Sequence, residues 1–260
     1  MPSDVFTHTI ADLRTLGGQR VWSLMVSLFG DLAQAEGAGI DGPVLSRIMT
    51  AMQIRPEATR VALHRLRNDG WIASEKRGRI SRHTLTPHGR KLSAEASPVI
   101  YADPYAGPEE WSLVLLPPDA TASDALGQAG YIQIMPRLYA KPPAAPLPAG
   151  AMELQAKDAP PWLREAVEPA WLAEDYAALA RTLGELTERL PREASLSAVE
   201  TAVLRCLVVH NWRRLVLKHN WPPRALVSPG WAGHRAHILV ADLLQRFPRP
   251  SLSDIGCSRN

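Results

Sequence analysis

The chain has 260 residues, 46% of them hydrophobic and 21% charged, an ordinary globular composition long enough for two or three domains. Its net charge is only +3, so any strongly basic region must be local, and two cysteines make neither a disulfide framework nor a zinc site. No run of about 18 uncharged apolar residues exists, and residues 1–8 lack the charged and apolar regions of a signal peptide, so a reducing cytoplasm is the expected compartment.

Taken in order, Val21, Leu24, Met25, Leu28 and Leu32 recur at helical spacing and predict one helix over residues 13–35. Gly37-Ala38-Gly39-Ile40-Asp41-Gly42 then matches G-x-G-x-x-G letter for letter. A dinucleotide fingerprint needs a strand before it; here a helix precedes, so the glycines read as a loop. Asp41-Gly42-Pro43 opens a second helix, with a capping residue ahead of proline, and Val44, Leu45, Ile48, Met49 and Met52 share its apolar face. After the short turn Gln53-Ile54-Arg55, Pro56 starts a third helix that Gly70 stops. Ala58, Ala62, Leu63 and Leu66 face inward on it. Glu57, Arg60, His64, Arg67 and Asn68 share the opposite face, a size and chemistry suited to a major groove.

Two short strands follow around Arg77-Gly78-Arg79, a basic hairpin whose Lys76, Arg77, Arg79 and Arg82 suit phosphates or a minor groove, and Thr86 caps the next helix. Between Arg55 and Lys91 there are ten Lys/Arg against three acids, so the basic excess sits in this block. Helix-turn-helix spacing, hairpin and charge coincide, which predicts a winged DNA-reading module within residues 1–104, with salt-dependent affinity. A lone basic face would be merely solvated surface.

Residues 105–158 read as a small α+β unit: a buried-type strand from Trp111 to Leu116, a helix over residues 119–129, a second strand from Tyr131 to Tyr139, a proline-rich loop, and a third strand over residues 151–157. Such a unit buries little core alone and is expected to lean on its neighbours. Residues 159–250 are helical. The run from Leu196 to Trp221 is apolar almost all round and predicts a central buried helix, with His210, Asn211 and Arg214 set into it. Residues 251–260 read as a disordered tail. The fold class is therefore α+β, mainly α.

Several of these motifs resemble the PaaX-like regulators, repressors of phenylacetic-acid degradation operons. The first module carries Arg60-Val61-Ala62-Leu63-His64-Arg65-Leu66, Gly70-Trp71, Gly78-Arg79-Ile80-Ser81, Leu85-Thr86 and Gly89, and Phe29-Gly30-Asp31 precedes them. Residues 130–142, residues 210–218 and Trp231-Ala232-Gly233-His234 extend the resemblance over nearly the whole chain. It implies a winged helix, a ferredoxin-like middle domain similar to Cas2 proteins, and a helical C-terminal domain for effector binding and dimerisation. It also implies operator DNA as partner and release by an aromatic acyl-CoA of the phenylacetyl-CoA type, with no other cofactor. The chain departs from the family in three places. The middle unit leaves little room for a second helix, His219-Asn220-Trp221-Pro222-Pro223 replaces an Asp-Pro-x-Leu-Pro run, and His83 stands where a tyrosine is usual.

An acyl-CoA needs cations for its phosphates and an apolar slot for its acyl group, which points to His210, Arg213, Arg214, Trp231 and His234. The plainer reading makes His210 and Arg214 a satisfied polar pair tying the domain together. His234 and His237 with His210 would be a weak metal set, lacking a carboxylate or thiolate, so no metal is expected. Asp119 is where a metal-dependent nuclease of the middle fold would place a carboxylate, or simply a helix cap. No G-x-S-x-G, H-E-x-x-H or P-loop is present, so no enzyme is expected; an architectural DNA binder without ligand is the remaining alternative. One winged helix offers few base contacts, so a homodimer on an inverted repeat is expected.

Overall fold

A computed structural model describes residues 4–17, 20–106, 111–120, 124–155, 158–190 and 194–257. Helices α1 (Asp4–Thr15) and α2 (Val21–Leu32) replace the single helix expected over residues 13–35. The break falls at Gly17, whose φ of 75° is left-handed, and a Cβ there would collide with the Arg214 guanidinium. Phe6, Ile10 and Leu13 on α1 add a buried stripe beside Leu24, Met25 and Leu28 of α2.

The chain then passes through strand β1 (Ile40–Asp41), helices α3 (Gly42–Ala51) and α4 (Pro56–Asn68), and the hairpin β2 (Ile72–Arg77) and β3 (Ile80–Leu85). These strands form an antiparallel sheet in the order β1-β3-β2. Arg77 pairs with Ile80, leaving Gly78 and Arg79 as the turn. Gly39 is required by close approach: a Cβ would lie 2.6 Å from Thr84 Cγ2 and 2.8 Å from the His83 carbonyl oxygen. Helix α2 precedes it, so the glycine-rich stretch serves strand packing. The apolar faces fall where periodicity puts them, with Val44, Leu45, Ile48, Met49, Met52, Ala62 and Leu66 buried. One detail differs. Asp41 does not cap α3 through its side chain; its Oδ1 accepts from Arg82 Nη1 at 3.2 Å instead. Thr86 does cap the following helix α5 (Pro87–Ile100), its Oγ1 accepting from Gly89 N at 3.0 Å.

The middle unit holds strand β4 (Ser112–Leu115), helix α6 (Asp124–Gln128) and strands β5 (Ile132–Met135), β6 (Leu138–Lys141) and β7 (Met152–Leu154). All pairs are antiparallel, in the order β5-β6-β4-β7. The strand expected from Tyr131 to Tyr139 is thus a hairpin. It turns at Arg137, held at φ 68° while its Nε and Nη2 donate to the Leu116 carbonyl at 3.1 and 2.9 Å. The helix expected from residue 119 begins only at Asp124. Asp119 lies in a turn closed by Ala120 N donating to Pro117 O, and residues 121–123 lie outside the described residues. Residues 156–157 of the expected third strand also lie outside them.

Helices α7 (Pro161–Val167), α8 (Ala173–Arg189), α9 (Ala198–Val216), α10 (Ala232–Arg246) and α11 (Leu252–Cys257) complete the chain, with 3₁₀ turns at Ala170–Leu172 and Arg224–Leu226. Helix α9 opens with a reciprocal cap between Ser197 and Glu200 and is buried on nearly every side, as its all-round apolar sequence requires. Trp221 lies beyond its end. The tail expected to be disordered over residues 251–260 is helical as far as Cys257. Ile255 is fully buried against α3, and Arg47 donates to its carbonyl.

One hydrophobic core runs from Phe6 to Ile255 across both ends of the chain. Helix α9 packs on α1, α2, α3 and α5, while α8 and α10 close the far side. The middle sheet adds two smaller clusters. Trp111 and Ala140 meet Leu163, Val167 and Leu226 on one face, and Val114, Leu116, Tyr131 and Tyr139 pack on the other. It does lean on its neighbours: Asn220 Nδ2 donates to the carbonyls of Gly127 and Tyr131. Among the described residues no helix is long and apolar enough to cross a membrane.

Candidate functional site

Helix α4 stands proud of its module. Thr59, Ala62 and Leu66 anchor its inner face, and Arg65 is pinned by Asp69 and by the Trp22 ring, 4.4 Å from its guanidinium carbon. Glu57, Arg60, His64, Arg67 and Asn68 are all exposed on the other side. Arg60 lies 4.0 Å from Glu57, too far and too wet to hold it, and Asn68 Nδ2 lies 3.3 Å from His64 Nδ1. These side chains are free to be retuned by a partner.

The hairpin carries Lys76, Arg77 and Arg79, exposed around its turn. Arg77 leans on Glu75 at 2.6 Å, while Arg79 projects at the tip. Arg82 differs from the expectation: it turns inward to Asp41 and the Gly37 carbonyl, tying β3 to the loop before α3. Its charge reaches the surface only partly, because β1 covers that edge. His83, in the position of the family tyrosine, is buried with Nδ1 2.7 Å from Ser74 Oγ. Burial, and then the nearby Arg67, push its pKa below the ordinary value, so it is a neutral strut of the hairpin.

The five residues expected to bind an effector are not brought together. His210, Arg213 and Arg214 project from α9 toward the first two helices. Ser27 Oγ lies 3.3 Å from His210 Nδ1, Arg213 Nη2 donates to Ser23, and Arg214 Nη2 donates to the Leu16 carbonyl. They lash helices together and line no large cavity. Trp231 and His234 lie elsewhere, on a cavity of about 300 Å³ between the C-terminal helices, the middle sheet and the linker after α5.

This cavity has aromatic walls and a cationic rim. Trp221 and Trp231 meet at 4.8 Å between ring centroids, backed by Tyr176 and Trp212. Arg224 and Tyr105 sit exposed at the edge, with Lys141 deeper and already paired to Glu153 at 3.3 Å. Two imidazoles border it, and His234 Nε2 and His237 Nδ1 are buried with no hydrogen-bond partner among the described residues. Burial lowers both pKa values, so each ring presents a neutral nitrogen. Sequence reasoning did not place Arg224, Trp221 or His237 at an effector site, naming Trp221 only in a helical run and His237 only in a weak metal set; the Trp221-Pro222-Pro223 run, where the chain departs from the pattern it resembles, was the available signal.

His237 also marks how the cavity touches the amino-terminal helices. Its Nε2 lies 2.9 Å from the Ala102 carbonyl, two residues beyond α5, and residues 102–106 form part of the cavity wall. Just before them, Trp212 Nε1 donates to the Ile100 carbonyl and Tyr101 donates to Asp31 at 2.8 Å. Asp31, buried on α2, takes a bidentate contact from Arg205 of α9 at 2.8 Å and a third bond from Arg249. Burial alone would raise the pKa of Asp31, but the bonds and charge of Arg205 outweigh it and hold the carboxyl below its usual range. This buried ion cluster, which no local sequence pattern announces, joins α2 to the C-terminal helices.

Among the described residues no group of three His, Cys, Asp or Glu is placed to hold a metal, and Asp119 stands exposed in its turn. Residues 20–89 match the family model for PaaX-like protein, and residues 169–253 match that for the PaaX-like protein C-terminal domain. The chain is 28% identical to the transcriptional repressor PaaX of Escherichia coli (strain K12), over 90% of this chain and 82% of that protein.

Proposed function

The chain belongs to the PaaX-like family, and from that premise we propose that it is a transcriptional repressor whose DNA-reading head is released by an aromatic acyl-CoA held in the cavity beside Trp221 and Trp231. It is not an enzyme; the family is one of repressors. The observation that carries the reading is the exposed polar face of α4 set beside an exposed basic hairpin. The order helix, short strand, helix, helix, hairpin fits a winged helix, and α4 would enter the major groove while Arg77 and Arg79 track the backbone. The order β5-β6-β4-β7 fits a ferredoxin-like sheet lacking its second helix. The operon controlled would be a phenylacetate-type catabolic one, and two copies would bind an inverted repeat, because one head reads few bases.

For the effector, the cavity fits the acyl end of the ligand, with room for one aromatic ring against the tryptophans. The unpartnered nitrogens of His234 and His237 would meet the thioester region, and Arg224 at the rim a phosphate of the carrier. Occupancy would act on residues 102–106, the segment joining the two halves.

Fluorescence anisotropy on a duplex enriched from a random library tests both parts. Phenylacetyl-CoA should release the wild type. Arg224→Ala and His234→Ala should bind the duplex normally yet need more ligand, about tenfold for Arg224, the size of one lost charged hydrogen bond, and about fivefold for the neutral His234. Release of both variants at the wild-type concentration would refute the cavity, and failure to release the wild type would refute the effector.

A further inference from the structure

The outward face of α4 contains one residue that its polar chemistry does not explain. Val61 is 69% exposed, while Ala58, Ala62, Leu63 and Leu66, the other apolar side chains after Pro56, turn wholly or partly inward. At 100° per residue Val61 falls beside Glu57, His64 and Asn68, near the centre of the exposed face. A solvated helix surface does not favour such a residue, because a β-branched side chain lowers helix propensity and leaves a bare isopropyl group in water. In the major groove only one base-edge group is apolar: the C5-methyl of thymine. Cations flank the valine on both sides, Arg60 and Arg67 on one and Arg65 on the other, so the face is complementary to DNA rather than to an apolar protein surface.

We propose that Val61 is a specificity-determining residue that selects thymine by packing its isopropyl group against the C5-methyl. The inference rests on reading α4 as the recognition helix. It adds an apolar element to a face whose other members make hydrogen bonds, and it fixes the base at the centre of the contacted half-site.

The test uses the full chain and a duplex enriched from a random-sequence library. Each thymine is replaced singly by deoxyuracil, which removes only the methyl, and affinity is read by fluorescence anisotropy. At one thymine per half-site the replacement should weaken the wild type about fourfold, the value of one buried methyl group. In Val61→Ala the same replacement should cost nothing, with penalties at other positions unchanged. The variant should fold, since the side chain is exposed and alanine is the better helix former; far-UV circular dichroism checks this. If no thymine is sensitive, or if the sensitive one remains equally sensitive in Val61→Ala, the inference is overturned while the DNA reading survives. If no duplex is enriched, the DNA reading itself fails and the inference falls with it.

Discussion

His210 illustrates how one residue turns packing into pH dependence. Its ring is buried between α9 and α2, and burial, followed by the charges of Arg213 and Arg214, pushes its pKa from 6.5 down to about 4. In the unfolded chain the ring takes up a proton below about pH 6.5, whereas the folded ring resists until about 4. The unfolded state therefore binds more protons across that window. Stability is complete above pH 6.5 and falls as the pH drops toward 4, by on the order of 3 kcal/mol from this residue. His83, His219, His234 and His237 are depressed in the same direction, so the whole slope should exceed one proton. Urea midpoints at pH 7, 6 and 5 should show His210→Gln removing about one proton from that slope; an unchanged slope would mean the ring titrates normally when folded.

At the scale of elements, the two hairpins contrast in how they announce themselves. The β2–β3 turn carries a glycine between two short β-prone runs, and the chemistry of its tip follows from composition. Because Arg79 projects freely while Arg77 is partly occupied by Glu75, Arg79→Ala should flatten the salt dependence of DNA binding by about one unit and Arg77→Ala by less. Titrations between low and moderate salt decide this, and equal loss from both variants would show that the Glu75 contact opens on DNA. The β5–β6 turn has no glycine. Arg137 takes a left-handed backbone there because its guanidinium finds the Leu116 carbonyl, a partner on a different strand. That partner is distant in sequence, so local chemistry could not reveal the turn.

For the whole molecule, the decisive feature is the single core shared by the first five helices and α8 to α11. Helix α9 takes the place that solvent would take in an isolated amino-terminal unit, packing on α2, whose Leu24, Met25 and Leu28 are buried. A fragment of residues 1–104 should therefore lose its packing partner, and with it the Asp31–Arg205 pair. Near-UV circular dichroism and urea titration should find that fragment without fixed tertiary structure or a cooperative transition. A cooperative transition matching the full chain would show that the head is separable after all. Under the proposed function, a shared core would make ligand and DNA act on one body. By linkage, DNA should weaken ligand binding by the factor that ligand weakens DNA binding.

Sequence alone determined what depends on short-range spacing. The inward faces of α3 and α4, the basic hairpin, the Thr86 cap and the all-round burial of α9 each follow from periodicity, turn chemistry or charge within about twenty residues. What the sequence could not place were contacts made between distant segments. The Gly17 break answers to Arg214, Arg82 to Asp41, and Ile255 to α3, each across tens to hundreds of residues. The residues expected to bind an effector divide for the same reason. His210, Arg213 and Arg214 face the amino-terminal helices, whereas Trp231 and His234 face the middle sheet, and helical spacing does not say which neighbour a buried polar face will meet. Only tertiary packing chooses that neighbour, because the free energy of burying a polar group depends on the partner it finds.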